Sequence, residues 1–579
     1  MTDQDRQMEG RPRSGMRQRP STHFFILFGL MLLNGMAYLA IYRAGLERGY
    51  EPSIYFALGQ MTLFLPLVGI YFWLVRRRKY QGDWTLLTVA VLLFGLGQVM
   101  QYRLFTDPEY LADPQNNGIR IAKAAKAETI TQQGVNQFYD EDKKRSLFKS
   151  PNYQIPVKES SESKSGGEGE RKDRGWSFPL LYKPLLALIG MVLAIILAAR
   201  DRVLLKLQRM SFMLGFLTIL SFIPLAVLSE GGKFYGSTTP WEPVKVAFLA
   251  SFAGILADHY RKLSQTRWGF PPWRFLLPLL MIAAMPVAAF LLLKDFGQLL
   301  VFLGVYVTLY LVAVRRIPQL TMALILVSLI MVFGVLGLGI YSRATMVAGE
   351  ADATKSDGRT PVSVVAKMGQ VVSRGIPLRI HQRFHLWLNA EKPPNQDKDW
   401  WWPESVVRGF GAKEPRRIKT ILDEGRRSNE ELWYKSFAFQ PSQALFGISS
   451  GRLIGKGLGR GYPESIPIAD SDFIYAALSE EMGVLGGLVV LLAYVLLVLA
   501  GGRTAIEAPD MFTKLLAAGI TAFLGFQSIV NIGGVTRMLP MTGITLPFVS
   551  HGGWSLLTTF TMLGILMAIS HRNRTIKEV

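Results

Sequence analysis

The sequence contains no cysteine. This excludes disulfides, thiol nucleophiles and cysteine-ligated metals. Charge is also scarce: 18% of the 579 residues are Asp, Glu, Lys or Arg, against about 25% in an ordinary soluble chain. Acids are fewer than bases, 43 against 64. The first apolar run follows five arginines (Arg6, Arg11, Arg13, Arg17, Arg19) without a small-residue cleavage site, so it is expected to stay as an anchor. The glycine-rich stretches do not match a P-loop.

Half of the residues are hydrophobic (50%) and the mean hydropathy is +0.23. Apolar runs of about 20 residues recur, the mark of an all-α polytopic membrane protein. Twelve spans are expected, near 23–43, 54–75, 84–105, 177–199, 210–228, 242–258, 274–293, 296–314, 319–341, 473–500, 511–532 and 550–570. With a cytoplasmic N-terminus, every second connection should be basic. Seven such segments carry Lys or Arg: the N-terminal arm, "RRRK" at 76–79, "RDRVLLKLQR" at 200–209, 261–274, "RR" at 315–316, 501–514 and "HRNRTIKEV" at the end. Both termini are therefore expected to be cytoplasmic. Much of the net charge of +21 reports topology, and a nucleic-acid partner is not expected.

Two connections are long, 106–176 and 342–471, and both are expected on the outer side. The second contains "DWWWP", whose Trp400, Trp401 and Trp402 suit either sugar stacking or an interfacial anchor. His381 and His385 have the i, i+4 spacing of helical zinc ligands, but the glutamate of HExxH is missing. Arg379 and Arg383 beside them suit an anionic partner better.

Several groups of residues are suited to chemistry. "SDFIYAALSEEMG" places Asp472 where the long loop enters a span. Such an acid serves as a helix cap or as a catalytic base. Glu480 and Glu481 should lie about 12–14 Å further along a continuous helix, and intramembrane acids face a bundle interior or a wet cavity. Before Asp472, six glycines from Gly447 to Gly461 are interspersed with Arg452, Lys456 and Arg460. Backbone amides and basic side chains together suit a phosphate, although a flexible loop has the same composition. Glu242 and Lys245 in "PWEPVK" share a helix face and suit an ion pair. Lys294 and Asp295 in "LKDFGQ" suit a tight turn. In 533–555, "GGVTRMLPMTGITLPFVSHGGWS", prolines and glycines break the apolar pattern, as backbone lining a cavity does.

These stretches resemble the SEDS family (shape, elongation, division and sporulation), the RodA/FtsW-type peptidoglycan polymerases. "SDFIYAALSEEMGVLGG" is similar to the family's "TDFIFAVIAEELGFIG", and "LPMTGITLPFVSHGG" to "LPLTGLTLPFISYGG". "ALFGISSGRLIGKGLGRG" resembles the glycine-rich lead-in and "RFHLWLNA" the segment before it. "PWEPVK" partly matches "QPSELAK", and "KDFG" matches "PDLG". The chain departs from the family in "GGKFYG", where Lys233 and Phe234 loosely replace Arg and Trp, and in "SHGGWS" for "SYGGSS".

The resemblance implies a ten-helix core over 80–579, preceded by a basic arm (1–22) and two additional helices (23–79), with insertions at 106–176 and 342–471. It implies a glycosyltransferase that polymerises lipid II on the outer face of the bacterial cytoplasmic membrane, with a class B penicillin-binding protein as partner. Asp472 matches the family's essential aspartate and would be the base. Lys456, Arg460, Lys245 and Arg383 would hold diphosphates, and Glu242 would position Lys245. Lys233 and Asp295 join the substrate-binding set. Glu480, Glu481, Ser550 and His551 would support the cavity. No cofactor is firmly implied, and a divalent cation (Mg or Mn) is left open. A lipid-linked precursor flippase and a non-catalytic scaffold for a transpeptidase are the alternatives. The flippase would need alternating access and an inverted repeat, and no clear repeat relates the two halves.

Overall fold

The fold was obtained as a computed structural model, which describes residues 20–77, 79–112, 178–198, 200–228, 241–264, 295–314 and 439–578, with isolated positions between 274 and 290 and at 387. The expected span at 319–341, most of 274–293, Lys233, Arg383, the histidine pair and the three adjacent tryptophans lie outside the described residues.

The chain is an all-α polytopic membrane protein, and among the described residues there is no strand. Helix α1 runs Pro20–Glu47, α2 Ile54–Thr62, α3 Phe64–Arg76, α4 Thr85–Phe105 and α5 Pro108–Ala112. Then come α6 Phe178–Ala198, α7 Asp201–Arg209, α8 Ser211–Leu228, α9 Trp241–Leu263 and α10 Phe296–Val314. The last four are α11 Phe439–Gly451, α12 Ile474–Glu507, α13 Met511–Val535 and α14 Gly553–Glu578. Among the described residues, seven spans are long and apolar enough to cross a membrane: α1, α2 with α3, α4, α10, α12, α13 and α14. Helices α6, α8 and α9 stand over three more of the expected spans.

Local chemistry explains the interruptions. The second span divides at Leu63 because Pro66 has no N–H to donate to the carbonyl four residues back. Ser53 starts α2 by accepting from the Phe56 N–H at 3.3 Å, and Asp510 starts α13 by accepting from the Thr513 N–H at 2.9 Å, as short polar caps do. The basic stretch expected as a plain loop at 200–209 is the short helix α7, which buries Leu204 while Leu205 on another face is exposed. That division suits a helix lying in the membrane interface.

Successive spans run antiparallel, so the bundle has two ends. One gathers Pro20, Arg76–Asp83, Glu507–Met511 and the last turns of α14. There Tyr71 Oη donates to Pro20 O at 2.7 Å and the Asp83 N–H to Ser570 Oγ at 2.9 Å. The other end gathers Arg48, Phe105–Tyr110, 452–473 and 536–552. Helix α12 packs against α4, α11 and α13, α13 also against α9 and α10, and α6 against α14. The long 342–471 connection was expected to be loop, but it contains α11, which buries Pro441, Ser442, Gln443, Ala444, Gly447 and Gly451.

Candidate functional site

The continuous helix expected over 473–500 is broken. Gly483 has φ 71° and ψ −173° inside α12, a conformation open to glycine and costly for other residues. The break frees backbone groups that need partners within the protein. The glycine-rich loop satisfies them. Lys456 N–H donates to Glu480 O at 3.1 Å and Gly457 N–H to Glu481 O at 2.9 Å. On the other side, Val484 N–H donates to Arg452 O at 2.9 Å and Leu485 N–H to Leu453 O at 3.1 Å. Loop 452–457 is thus inserted in the helix and caps both halves. A side chain on Gly455 (φ 96°) would strike the Glu481 carbonyl, so the close approach requires glycine there. A cavity of about 840 Å³ is lined by Ser449 to Lys456.

Glu480 and Glu481 therefore end a short half-helix instead of standing in the middle of a long one. Both are buried and both are engaged. Glu480 Oε1 accepts from Lys456 Nζ at 3.0 Å, Ser450 Oγ at 3.1 Å and the Tyr462 N–H at 3.1 Å. Glu481 accepts from Arg103 Nε at 3.0 Å and from the Gly459 N–H at 3.1 Å. These carboxylates hold the basic loop in place.

Arg103, which sequence reasoning passed over, is the centre of the largest charge cluster among the described residues. Its side chain is fully buried. It meets Asp107 Oδ2 at 2.5 Å, Glu464 Oε2 at 3.0 Å and Glu481 Oε1 at 3.0 Å, and also donates to the Gly461 carbonyl at 3.2 Å. Arg48 closes the cluster, 2.7 Å from Glu464 Oε1 and 3.6 Å from Asp107 Oδ2. Burial pushes the Asp107 carboxyl up, but the Arg103 and Arg48 guanidiniums outweigh it and hold it below its usual value. The available signal was an arginine at the end of an apolar span, which needs acidic partners nearby.

Asp472 lies two positions before α12 and is half-buried. It does not cap the helix: Phe473 is at the cap position, with no side-chain cap bond. Its backbone and that of its two predecessors are held from the facing segment. Asp470 O accepts from the His551 N–H at 2.8 Å, Ser471 O from Ser550 Oγ at 2.6 Å and Asp472 O from Asn531 Nδ2 at 3.0 Å. Asn531 also donates to Ile544 O at 2.6 Å, and Ser550 Oγ accepts from the Leu546 N–H at 2.7 Å. Three successive carbonyls are fixed by α13 and the broken 536–552 segment. His551 and Ser550 thus act on the segment that carries Asp472, and Asn531 is a further member absent from the sequence-based set.

The other expected residues are more dispersed. Lys245 and Glu242 form a buried pair at 2.6 Å, with Lys245 Nζ 5.0 Å above the Phe523 ring. Phe523 and Asn531 both belong to α13, about 12 Å apart along its axis. Asp295 Oδ1 accepts from the Gln298 N–H at 3.2 Å and so opens α10, the turn role its sequence allowed. Arg460 is exposed and pairs with the exposed Glu47 at 3.3 Å. Among the described residues, no group of three or more His, Asp or Glu side chains is placed to hold a metal ion.

The fold and this site define a class: a polytopic helical membrane protein with a basic loop inserted in a broken helix and an aspartate clamped at the start of that helix. A model of the FtsW/RodA/SpoVE family, described as cell cycle protein, matches residues 412–575. Through this region the chain is similar to that family. The peptidoglycan glycosyltransferase RodA of Mycobacterium tuberculosis is 43% identical over 163 residues, 27% of this chain and 35% of that protein. Stage V sporulation protein E of Bacillus subtilis is 41% identical over 168 residues, 29% of this chain and 45% of that protein. The probable peptidoglycan glycosyltransferase FtsW of Geobacter metallireducens is 43% identical over 136 residues, 23% and 36% of the two chains. The alignments thus span between a third and a half of the length of these curated relatives. Among solved structures, a chain from work on structural coordination of polymerization and crosslinking by a peptidoglycan synthase complex is 20% identical, with a TM-score of 0.42, covering 68% of this chain and 90% of its own. The rod shape determining protein RodA of Thermus thermophilus is also 20% identical, with a TM-score of 0.36, covering 68% of this chain and 88% of its own.

Proposed function

We propose that the chain is a peptidoglycan glycosyltransferase that polymerises lipid II into glycan strands at the outer face of the bacterial cytoplasmic membrane. The observation that carries this reading is the clamp on residues 470–472, which fixes Asp472 at the start of the short half-helix whose other end, about 12 Å along, holds the basic loop. In the proposed reaction Asp472 takes the proton from the acceptor sugar hydroxyl. That oxygen forms a bond to the donor's anomeric carbon with inversion, and the carbon–oxygen bond to the lipid diphosphate breaks. A carboxylate can act as such a base when it reaches the hydroxyl. The leaving diphosphate carries the developing charge, which fixed cations and amides stabilise.

Lys456 and Arg460 are assigned to the diphosphates. Lys456 is already oriented by Glu480, and Arg460 is exposed. The buried Glu242–Lys245 pair belongs to a second part of the site on α9, with Glu242 directing the ammonium. Arg383, Lys233 and Asp295 complete the proposed substrate-binding set. Glu480, Glu481, Ser550 and His551 act as supports. The catalytic core is assigned to 80–579, with α1 to α3 as an addition to it, both termini in the cytoplasm and a class B penicillin-binding protein transpeptidase as partner.

The test is purified protein given fluorescent lipid II. Wild type should yield glycan strands, and Asp472→Ala should yield none while eluting as a folded, monodisperse protein. Strand synthesis by Asp472→Ala would remove the base assignment. Translocation of lipid II across vesicles without strand synthesis would favour a flippase, and partner binding alone would favour a scaffold.

A further inference from the structure

We infer that Arg48, just beyond the end of α1, is a positioning residue for the substrate loop, acting through Tyr462 and Glu464 on Lys456. This rests on the polymerase reading above, in which Lys456 holds a diphosphate. Helix α1 lies outside the assigned core, yet it meets that loop at four positions. Gly459 (φ 80°) approaches so closely that an added Cβ would lie 2.6 Å from Ala44 Cβ and 3.2 Å from Ile41 Cα. Arg460 pairs with Glu47. The Arg48 guanidinium lies 4.9 Å from the Tyr462 ring centroid and 2.7 Å from Glu464 Oε1.

The contact continues beyond Tyr462. Lys456 Nζ is 5.2 Å from the same ring, and Glu480 Oε1 accepts from both Lys456 Nζ and the Tyr462 N–H. One ring and one carboxylate oxygen thus set the position of the ammonium, and Arg48 holds the ring. Glu464 has both oxygens in use, one on Arg48 and one on Arg103, so the brace is tied to the buried cluster. Arg48 is one-fifth exposed while its two acidic partners are buried. Losing the guanidinium therefore leaves two buried carboxylates sharing Arg103 alone. The clamp on Asp472 comes from Asn531, Ser550 and His551 and contains no part of α1. Arg48 should accordingly govern how tightly substrate is held more than how fast it reacts.

The experiment compares wild type, Arg48→Met and Arg48→Lys in lipid II polymerisation. Arg48→Met should raise KM about tenfold with kcat changed less than about twofold, the pattern of lost uniform binding. Arg48→Lys, which keeps one ion pair to Glu464, should recover part of the loss. A second readout does not depend on activity. Because the chain has no cysteine, Ser465→Cys gives a single spin-label site on the loop, and its spectrum should be immobile with Arg48 and mobile with Arg48→Met. An unchanged KM with an unchanged spectrum would overturn the inference. So would a fall in kcat and Tm together with no recovery by lysine, which marks fold support alone. If wild type makes no strands, the polymerase reading fails, and the label still decides whether Arg48 orders the loop.

Discussion

The two ends of the bundle handle charge in opposite ways. At the end with the chain's terminal helix turns, ion pairs sit at the surface. Arg572 meets Asp510 at 2.6 Å with side chains 21% and 41% exposed, and Arg503 meets Glu507 at 3.0 Å with 49% and 20%. The helices there start and stop by ordinary caps. At the other end Arg103, Asp107, Glu464 and Glu481 are each no more than 2% exposed. A helix is broken there, a loop fills the break, and the 536–552 segment crosses without regular structure. The first arrangement ends helices in water. The second builds fixed charge inside the protein, where desolvation is expensive unless every group is paired. The site end is held by mutual satisfaction, so it should fail cooperatively when one member is removed.

The largest effect should come from Arg103→Met. It leaves three buried carboxylates without their shared cation, and breaking a buried pair typically costs about 3–5 kcal/mol. Thermal unfolding in detergent should show a large loss or no monodisperse protein. A loss as small as that of Arg503→Ala at the opposite end, below about 1 kcal/mol for an exposed pair, would erase the distinction between the two ends.

Asn531→Ala should come next. It removes two hydrogen bonds worth about 1 kcal/mol each and frees the Asp472 backbone from α13. Polymerisation kcat should fall at least about tenfold through misplacement of Asp472, the proposed base, with KM nearly unchanged. That split is the reverse of the one expected for Arg48→Met. Equal KM effects in both variants would mean that base and loop are not held separately.

The smallest effect sharpens the comparison through pH. Asp107 is held below its ordinary value by Arg103 and Arg48 against its burial. Asp510 is also lowered: burial opposes, and the Thr513 N–H and Arg572 outweigh it. For both, the unfolded state binds protons more readily than the folded one. Their stability contribution is therefore complete above the unfolded value of about 3.9 and is lost as pH falls through the lower folded values. Unfolding midpoints should be insensitive to these two groups near neutral pH and should drop in acid. The wild-type drop should be reduced more by Asp107→Asn than by Asp510→Asn, because solvent screens the latter. The opposite ranking would contradict the burial argument.

The spans were legible because a membrane requires long apolar runs and alternating basic connections, and the helices α1, α4, α6, α8 and α13 fall where those runs are. The broken helix was not legible. "EEMGVLGG" is apolar enough to continue a helix, and the loop that displaces its hydrogen bonds lies some thirty positions earlier in the sequence. The same reason hid Arg103: its partners Glu464 and Glu481 are more than three hundred and fifty positions away, and no local pattern pairs them. Asp472, Ser550 and His551 were singled out through short motifs, and the fold brings their segments together. Asn531 was missed because an amide within a span looks like any polar residue until it is seen bridging Asp472 and Ile544.

The loop inserted at Gly483 has a consequence for biogenesis. Residues 452–457 are synthesised before α12, but they can close its hydrogen bonds only after α12 is in the bilayer. Residues 484–507 make a helix of about 36 Å on their own, long enough to cross the bilayer, so this part can insert as a span before the loop docks against its first turn. Assembly is then sequential: spans insert first, and the site is made afterwards when the loop supplies the hydrogen bonds that the break at Gly483 leaves open. A chain stalled between these steps would be fully inserted and correctly oriented, yet would lack the loop on which Lys456 is presented.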